Sequence, residues 1–419
     1  MKRILTAIFG FILLLTATFC FVSQTAQALS EGDYLYLVRD GEAIVVDAAE
    51  SLSGKVELPQ KLGGYPVVCI GENAFYNCQS ITEITIPKSC KTIESAAFYN
   101  CSSLEKVKVE GKLSAVATSA FDNTPIVGPK GDWQDGVLYF QKFILASKPG
   151  LRKIVIRSGV KTIPQGVFGD NESLVSVTLP DSVTTIENHA FSRCTNLDSI
   201  KIGNGIMRVG SGVFSNTAYY NDENNWDNGI LYLKDYLLDV KKDISGEVKI
   251  KRNTRVIADY AFGGYSGSCG DVTSIKLPEG LVVIGERSFS NCDGLTEITL
   301  PASLKTVHEE AFANCDSILV VTVKGKNTVF EKEVFDYCRN LELMKLKSGS
   351  KAEQVVESLG INHEYINAVK SFTQVITSIV THPLTGPIYV IIITVYAVVL
   401  TVLFVVSRLK AIGKNKKSE

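Results

Sequence analysis

Thiols are the most reactive side chains in this chain of 419 residues, which holds ten of them. Seven, Cys78, Cys101, Cys194, Cys269, Cys292, Cys315 and Cys338, share one register: each stands three residues ahead of the first apolar residue of an expected strand. Metal ligation, disulfide formation or plain packing are the chemistries open to such a set. Zinc sites want close cysteine pairs, often with histidine; no such pair occurs, and the four histidines lie off this column. Disulfides need converging Cβ vectors, whereas equivalent side chains of a stack point in parallel. The expectation is therefore a ladder of buried thiols, each filling a small apolar slot. Cys90 takes the place held by Val183 and Leu304, and Cys69 that of Thr185 and Val283, so both read as core.

Other chemistry is sparse. No nucleotide-binding loop, metal triad or nucleophile signature is present, so neither an enzyme nor a cofactor is expected. His189 and His308 stand beside an Ala-Phe pair in variable places of the repeat described below, where surface filling is the plain reading. The residues with most to offer a partner form an expected exposed column: Thr85, Lys108, Thr178, Lys201, Lys276, Thr299, Thr322 and Lys345. Its lysines, Lys108, Lys201, Lys276 and Lys345, are the candidate binding face; the competing reading is a merely solvated face. The column lacks aromatics, which favours a protein or an anionic polymer over carbohydrate. Trp133 and Trp226 could form binding spots, but packing is the stronger reading for an aromatic of that size.

These residues are positioned by a repeat. Phenylalanine recurs at Phe75, Phe98, Phe121, Phe168, Phe191, Phe214, Phe262, Phe289, Phe312 and Phe335, in steps of 23, 23, 47, 23, 23, 48, 27, 23 and 23. The long steps are close to two units, and Phe75 to Phe168, Phe98 to Phe191 and Phe121 to Phe214 all span 93 residues. Each unit carries a strand with one buried face, such as Ile200 and Ile202 around Lys201. A proline ends it (Pro87, Pro180, Pro278, Pro301), since proline cannot donate to a ladder. A second short apolar pair follows, such as Val183 with Ile186. No unit could bury its apolar side alone; stacking makes one continuous core. In both long steps a Trp precedes Asp135-Gly136 or Asn228-Gly229 between apolar runs, a strong hairpin signal. Each predicts a unit whose outer arc is replaced by a protruding β-hairpin. Another hairpin signal, Asp40-Gly41, predicts a cap over 29–65. Helical spacing at Val355, Val356 and Leu359 predicts a closing helix.

The two ends carry address signals. Residues 1–28 read as a secretory signal: Lys2 and Arg3, an apolar run, then Ala26-Gln27-Ala28 as a small-x-small cleavage site. Residues 387–407 hold about 20 apolar positions without charge, the length of a membrane-spanning helix. The basic tail 408–419 follows, which places the repeats outside. Just ahead, His382-Pro383-Leu384-Thr385-Gly386 resembles the sortase sorting signal Leu-Pro-x-Thr-Gly, with His382 in place of leucine; it implies cleavage between Thr385 and Gly386 and attachment to the cell wall. A permanent single-pass anchor is the alternative. The net charge of −1 hides basic ends around a mildly acidic middle, which argues against nucleic acid as partner.

The units, with "IPKSCKTIESAAFYNCSSLEKV" and "LPASLKTVHEEAFANCDSILVV", resemble the BspA-like (Treponema-type) leucine-rich repeats of bacterial surface proteins. That resemblance implies a leucine-rich-repeat solenoid at the cell surface, with binding or adhesion to a host or neighbouring cell among the functions of such proteins. It carries over no ligand-contacting residue. The expected fold is thus a β-rich solenoid of about 23-residue units with two hairpin insertions and a C-terminal transmembrane helix. The expected order is signal 1–28, cap 29–65, solenoid 66–348, C-terminal cap 349–366, stalk 367–386, membrane span 387–407 and cytoplasmic tail 408–419. A spacer of the cell envelope without specific ligand is the competing function.

Overall fold

Two strand columns alternate along the chain in a computed structural model, which describes residues 28–263 and 269–366. In the first column, Gly54–Glu57, Ile81–Ile86 and Lys106–Val109 pair in parallel. The same holds for Lys153–Val155, Ser176–Thr178 and Ser199–Lys201, for Gly246–Lys249 with Val272–Lys276, and for Glu297–Leu300, Val320–Val323 and Leu343–Leu346. The prolines act as expected: Cys90, Val183, Leu281 and Leu304 each donate their amide to the carbonyl of the proline three residues earlier. That turn delivers the chain to the second column, whose two-residue strands include Thr92–Ile93, Thr185–Ile186, Val283–Ile284 and Thr306–Val307.

The arc from the second column back to the first contains the phenylalanine. Phe75, Phe98, Phe121, Phe191, Phe289 and Phe312 are fully buried. Neighbouring rings stack with centroids 4.9–5.5 Å apart in three runs: Phe75 to Phe121, Phe168 to Phe214, and Phe262 to Phe335. The backbone is tied there too. Phe98 donates to Ala120 O at 2.8 Å, Phe191 to Val213 O at 3.0 Å and Phe312 to Val334 O at 2.9 Å, each one coil onward.

Tight wrapping around the ring has a backbone cost that spacing did not reveal. Two residues in a typical coil adopt positive φ, one two places before the phenylalanine and one two places after. Asn73 (59°) and Asn77 (60°) flank Phe75, His189 (56°) and Arg193 (59°) flank Phe191, and Glu310 (52°) and Asn314 (58°) flank Phe312. Asparagine tolerates this region better than other residues with a Cβ. That is why asparagine precedes Cys78, Cys101, Cys292 and Cys315.

The N-terminal hairpin forms as expected, with Tyr34–Arg39 and Glu42–Ala48 joined at Asp40-Gly41, and Glu42–Ala48 pairs in parallel with Tyr65–Ile70, which in turn pairs with Thr92–Ile93 of the second column. The closing helix is Ala352–Leu359, ended by Gly360 at φ 65°.

The insertions differ from expectation. Each holds three antiparallel strands: Asp132–Gln134, Val137–Phe140 and Phe143–Ser147, a sheet of their own, in the first, and Trp226–Asp227, Ile230–Leu233 and Tyr236–Val240, which continue into the second strand column, in the second. They do not protrude. Val137 and Tyr139 pack into the middle core while Leu138 packs into the N-terminal one. Leu231 and Leu233 face the middle core, and Ile230 and Tyr232 the C-terminal one. A strand buried on both faces reads as a continuous apolar run; here that run seals two cores together.

The expected fold class is corrected at its last element. Among the described residues no helix is long and apolar enough to cross a membrane, so the expected transmembrane helix is not supported, and the described architecture is a β-solenoid of leucine-rich-repeat type. The span expected at 387–407 lies outside the described residues. So do nearly all of the signal 1–28, the stalk with Thr385 and Gly386, and the tail 408–419.

Truncating one ring in mid-stack should remove packing on both sides. Phe191→Ala is expected to lower unfolding free energy by roughly 3–5 kcal/mol, measured by denaturant titration. Asn314→Gly should be neutral or better, whereas Asn314→Val should cost about 1–2 kcal/mol through its left-handed backbone.

Candidate functional site: the strand face and the cysteine column

The candidate face follows from strand register. Lys108 lies beside Thr85, and Lys201 beside Thr178. Lys276 pairs with Lys249, and Lys345 with Thr322, itself beside Thr299. The eight residues thus sit on four separate sheets of the first column. Lys108, Lys201 and Lys276 are exposed and Lys345 is half-buried. Their electrostatics are unequal. The ammonium of Lys276 bonds to the Glu247 carboxylate, which Lys249 also approaches at 3.8 Å. That hydrogen bond holds Glu247 below its ordinary pKa. Lys108, Lys201 and Lys345 make no ion pair among the described residues. Glu83 sits in the same sheet as Lys108 between Lys55 and Lys106, at 3.6 and 3.2 Å, and the Lys106 hydrogen bond lowers its pKa first of all. The face therefore mixes three unpaired cations with local carboxylate pairs. Only the cations stood out in the sequence, because Glu247 stands one coil from Lys276 and Glu83 one coil from Lys55 and Lys106, more than 20 residues distant in the chain.

The tryptophans turn inward. Trp133 Nε1 donates to Gly128 O and Trp226 Nε1 to Tyr220 O, both at 2.8 Å. Lys148 and Lys241 cover the two rings, at 4.9 and 5.3 Å from the centroids. Both residues pin their insertions to the solenoid. His189 occupies a left-handed position of its coil, and His308 places Nδ1 3.0 Å from Glu331. The two imidazoles stand in different coils and form no catalytic pair.

The cysteine column has a definite polar role. Cys101 Sγ donates to Phe75 O at 3.0 Å, Cys194 to Phe168 O at 3.1 Å, Cys315 to Phe289 O at 3.0 Å and Cys338 to Phe312 O at 3.0 Å. Each thiol thus engages the arc of the coil before it. Cys78 reaches toward Ala49 O at 3.7 Å, in the cap. Burial pushes Cys78 and Cys194 up to about 11 and Cys101 up to about 12. Cys69 and Cys90 are buried as well.

One pair departs from the expected thiol ladder: Cys269 and Cys292 form a disulfide. Parallel Cβ vectors do not forbid it, because stacked equivalents approach closely. Their Cα atoms are 4.5 Å apart, within the range that a disulfide spans. This is the junction with the 27-residue step, where four extra residues precede Cys269.

The buried thiols make stability pH-dependent. A thiol held near 12 in the fold, against 9 ordinarily, favours folding fully below pH 9 and loses that contribution as pH rises toward 12. The denaturation midpoint should therefore fall above pH 9, and Cys101→Ala should flatten that fall while lowering the midpoint at pH 7.

The family description "BspA type Leucine rich repeat region" matches in six copies, over residues 55–130, 138–268 and 256–378. No curated protein matches. Among solved structures, the chain is similar to a leucine-rich cell surface protein from Faecalibacterium prausnitzii A2-165, at 22% identity over 84% of this chain and 97% of that one, with a TM-score of 0.30. It is similar to the pneumococcal vaccine antigen PcpA at 16% identity, covering 78% and 83%, with a TM-score of 0.26. It is also similar to a leucine-rich repeat protein from T. pallidum at 17% identity, covering 81% and 98%, with a TM-score of 0.21. Proteins of this family are typically non-enzymatic binding proteins of the surface. The six repeat matches cover most of the sequence, and the chain belongs to the BspA-type leucine-rich-repeat family.

Proposed function

We propose that the chain is an exported surface protein that binds or adheres to a partner through the strand face of its solenoid. The observation that carries this reading is the register of Lys108, Lys201 and Lys345: exposed or half-buried cations without an ion-pair partner among the described residues, held on rigid parallel ladders. Extended solenoid faces suit such use. Their chemistry fits an acidic protein surface or an anionic polymer on a host or neighbouring cell. The signal at 1–28 supports export. The motif at 382–386 supports cleavage between Thr385 and Gly386 with the new carboxyl joined to the wall.

Replacing Lys108, Lys201, Lys276 and Lys345 together by Glu should abolish adhesion of cells bearing the protein, with Lys276→Glu alone the mildest because Glu247 already neutralises it. Adhesion at the unaltered level would remove this face from the account and favour an envelope spacer. Mass spectrometry of the wall-linked form should end at Thr385. An intact Lys417 in cell-associated protein would contradict cleavage.

A further inference from the structure

The two insertions are counterparts, and so are the seams they make in the second strand column. Ahead of each insertion and up to its last strand the offset between counterparts is 93 residues, pairing Ala115 with Arg208, Val116 with Val209, Lys142 with Asp235 and Phe143 with Tyr236. Past it the offset is 94, pairing Lys161 with Arg255, Pro164 with Ala258 and Gln165 with Asp259.

The second seam is closed. Tyr236 and Leu237 pair in parallel with Val256 and Ile257. Ala258 donates to Leu237 O at 2.9 Å and Asp259 to Val209 O at 2.8 Å. Arg208 lies across it, 3.0 Å from Asp259 and 2.8 Å from Glu286, and Arg255 reaches Asp235 at 3.1 Å.

At the first seam each of these links is missing for a residue-level reason. Ala115 and Gln165 cannot make the bridge of Arg208 and Asp259. Lys142 and Lys161 put two cations where Asp235 and Arg255 attract. Pro164 has no N–H, and Gln165 gives its amide to Glu187 instead. Strand Phe143–Ser147 consequently pairs only with Val137–Phe140. Strand Ala115–Val116 is the last of its sheet, Thr162–Ile163 is the first of the next, and Val116 receives no bond of the kind Val209 does.

What remains is a cleft with two lobes, about 650 and 620 Å³, both bordered by Ser114, Phe143 and Thr162. One lobe is lined by Lys112, Lys142 and Lys161, at the residues that enter the strands. The other is lined by Glu72, Glu94 and Glu187, at the residues that leave them. All six are exposed. Glu94 and Glu187 accept backbone amides from Glu72 and Gln165, which orients them along the cleft wall.

We propose that this seam captures an extended peptide segment of a partner protein as an added strand along the Ala115–Val116 edge. An open sheet edge supplies main-chain hydrogen bonds to such a segment, and side chains supply its specificity. The segment runs parallel to Ala115–Val116. It carries an acidic residue at its start, against the lysine lobe, and a basic residue at its end, against the glutamate lobe, with an apolar residue between them over Phe143. The site is separate from the lysine face, and of the surface-binding reading it uses only that the ligand comes from another protein.

The test uses the purified full chain and two synthetic hexapeptides, N-acetyl-Glu-Thr-Val-Thr-Val-Lys-amide and the same peptide with Glu and Lys exchanged, followed by fluorescence anisotropy. The acid-first peptide should bind at least tenfold more tightly than the exchanged one, and more weakly at high salt. Ala115→Arg with Gln165→Asp copies the closed seam and should abolish binding with the thermal transition retained. Exchanging the sign of both lobes, with Lys112→Glu and Lys161→Glu together with Glu72→Lys and Glu187→Lys, should reverse the preference toward the basic-first peptide, an outcome that loss of folding could not produce. Absence of binding by both peptides, equal binding of the two, or undiminished binding by the closed-seam variant overturns the proposal. None of these results depends on cell adhesion, so failure here leaves the lysine-face reading to its own test.

Discussion

The amides of Phe75, Phe98, Phe168, Phe191, Phe262, Phe289 and Phe312 each donate to the carbonyl of the residue that precedes the next phenylalanine. Strands in a sheet lie about 4.7–4.9 Å apart, and stacked rings in this chain lie 4.9–5.5 Å apart. The arcs can therefore keep step with the strands, coil after coil. The left-handed residues on either side of the ring make the arc tight enough to hold it. The cysteine thiol then bonds the phenylalanine carbonyl one coil earlier. Ring, amide and thiol form a locked column within each of the three stacked runs.

That division of labour explains why the surface can vary so freely. Residues that point outward on the strands need only tolerate an extended backbone, so threonine, lysine and glutamate alternate there. Residues on the arc need only accept its geometry, so histidine, arginine and glutamate all take left-handed places. Function in such a molecule belongs to its faces and to the interruptions of its repeat. The two insertions show how few changes turn a sealed joint into an open one. Arg208 with Asp259 and Arg255 with Asp235 bridge the closed seam, whereas Ala115 with Gln165, Lys142 with Lys161 and Pro164 stand at the cleft.

Period, strand positions and capping hairpin were legible because they rest on hydrophobic spacing and turn residues, which are local. Asp135-Gly136 and Asn228-Gly229 mark their turns for the same reason, with Gly136 at φ 83° and Gly229 at φ 78°. What escaped was non-local. The burial of Val137–Phe140 on both faces depends on two cores meeting there, and a hairpin pattern alone suggested protrusion. The Cys269–Cys292 disulfide rests on the 4.5 Å approach of Cα atoms from neighbouring coils, a proximity that side-chain direction in a stack does not display. The pairing of Lys276 with Glu247 joins residues 29 apart in sequence, invisible to a reading that followed lysines down one column. The membrane span rests on a charge-free apolar run followed by basic residues; no helix among the described residues is long and apolar enough, and 387–407 lie outside them. The asparagines ahead of the cysteines were visible, but their reason lies in φ angles that no spacing displays.

The arcs are hydrogen-bonded as firmly as the strands, and hydrogen exchange at single residues distinguishes that arrangement from a looser one. The amides of Phe98, Phe191 and Phe312 should exchange as slowly as those of Ile84, Val177 and Val321 in the first strand column. Exchange of the phenylalanine amides at the rate of the turn residues Asp135 and Asn228, with the strand amides still protected, would contradict the account.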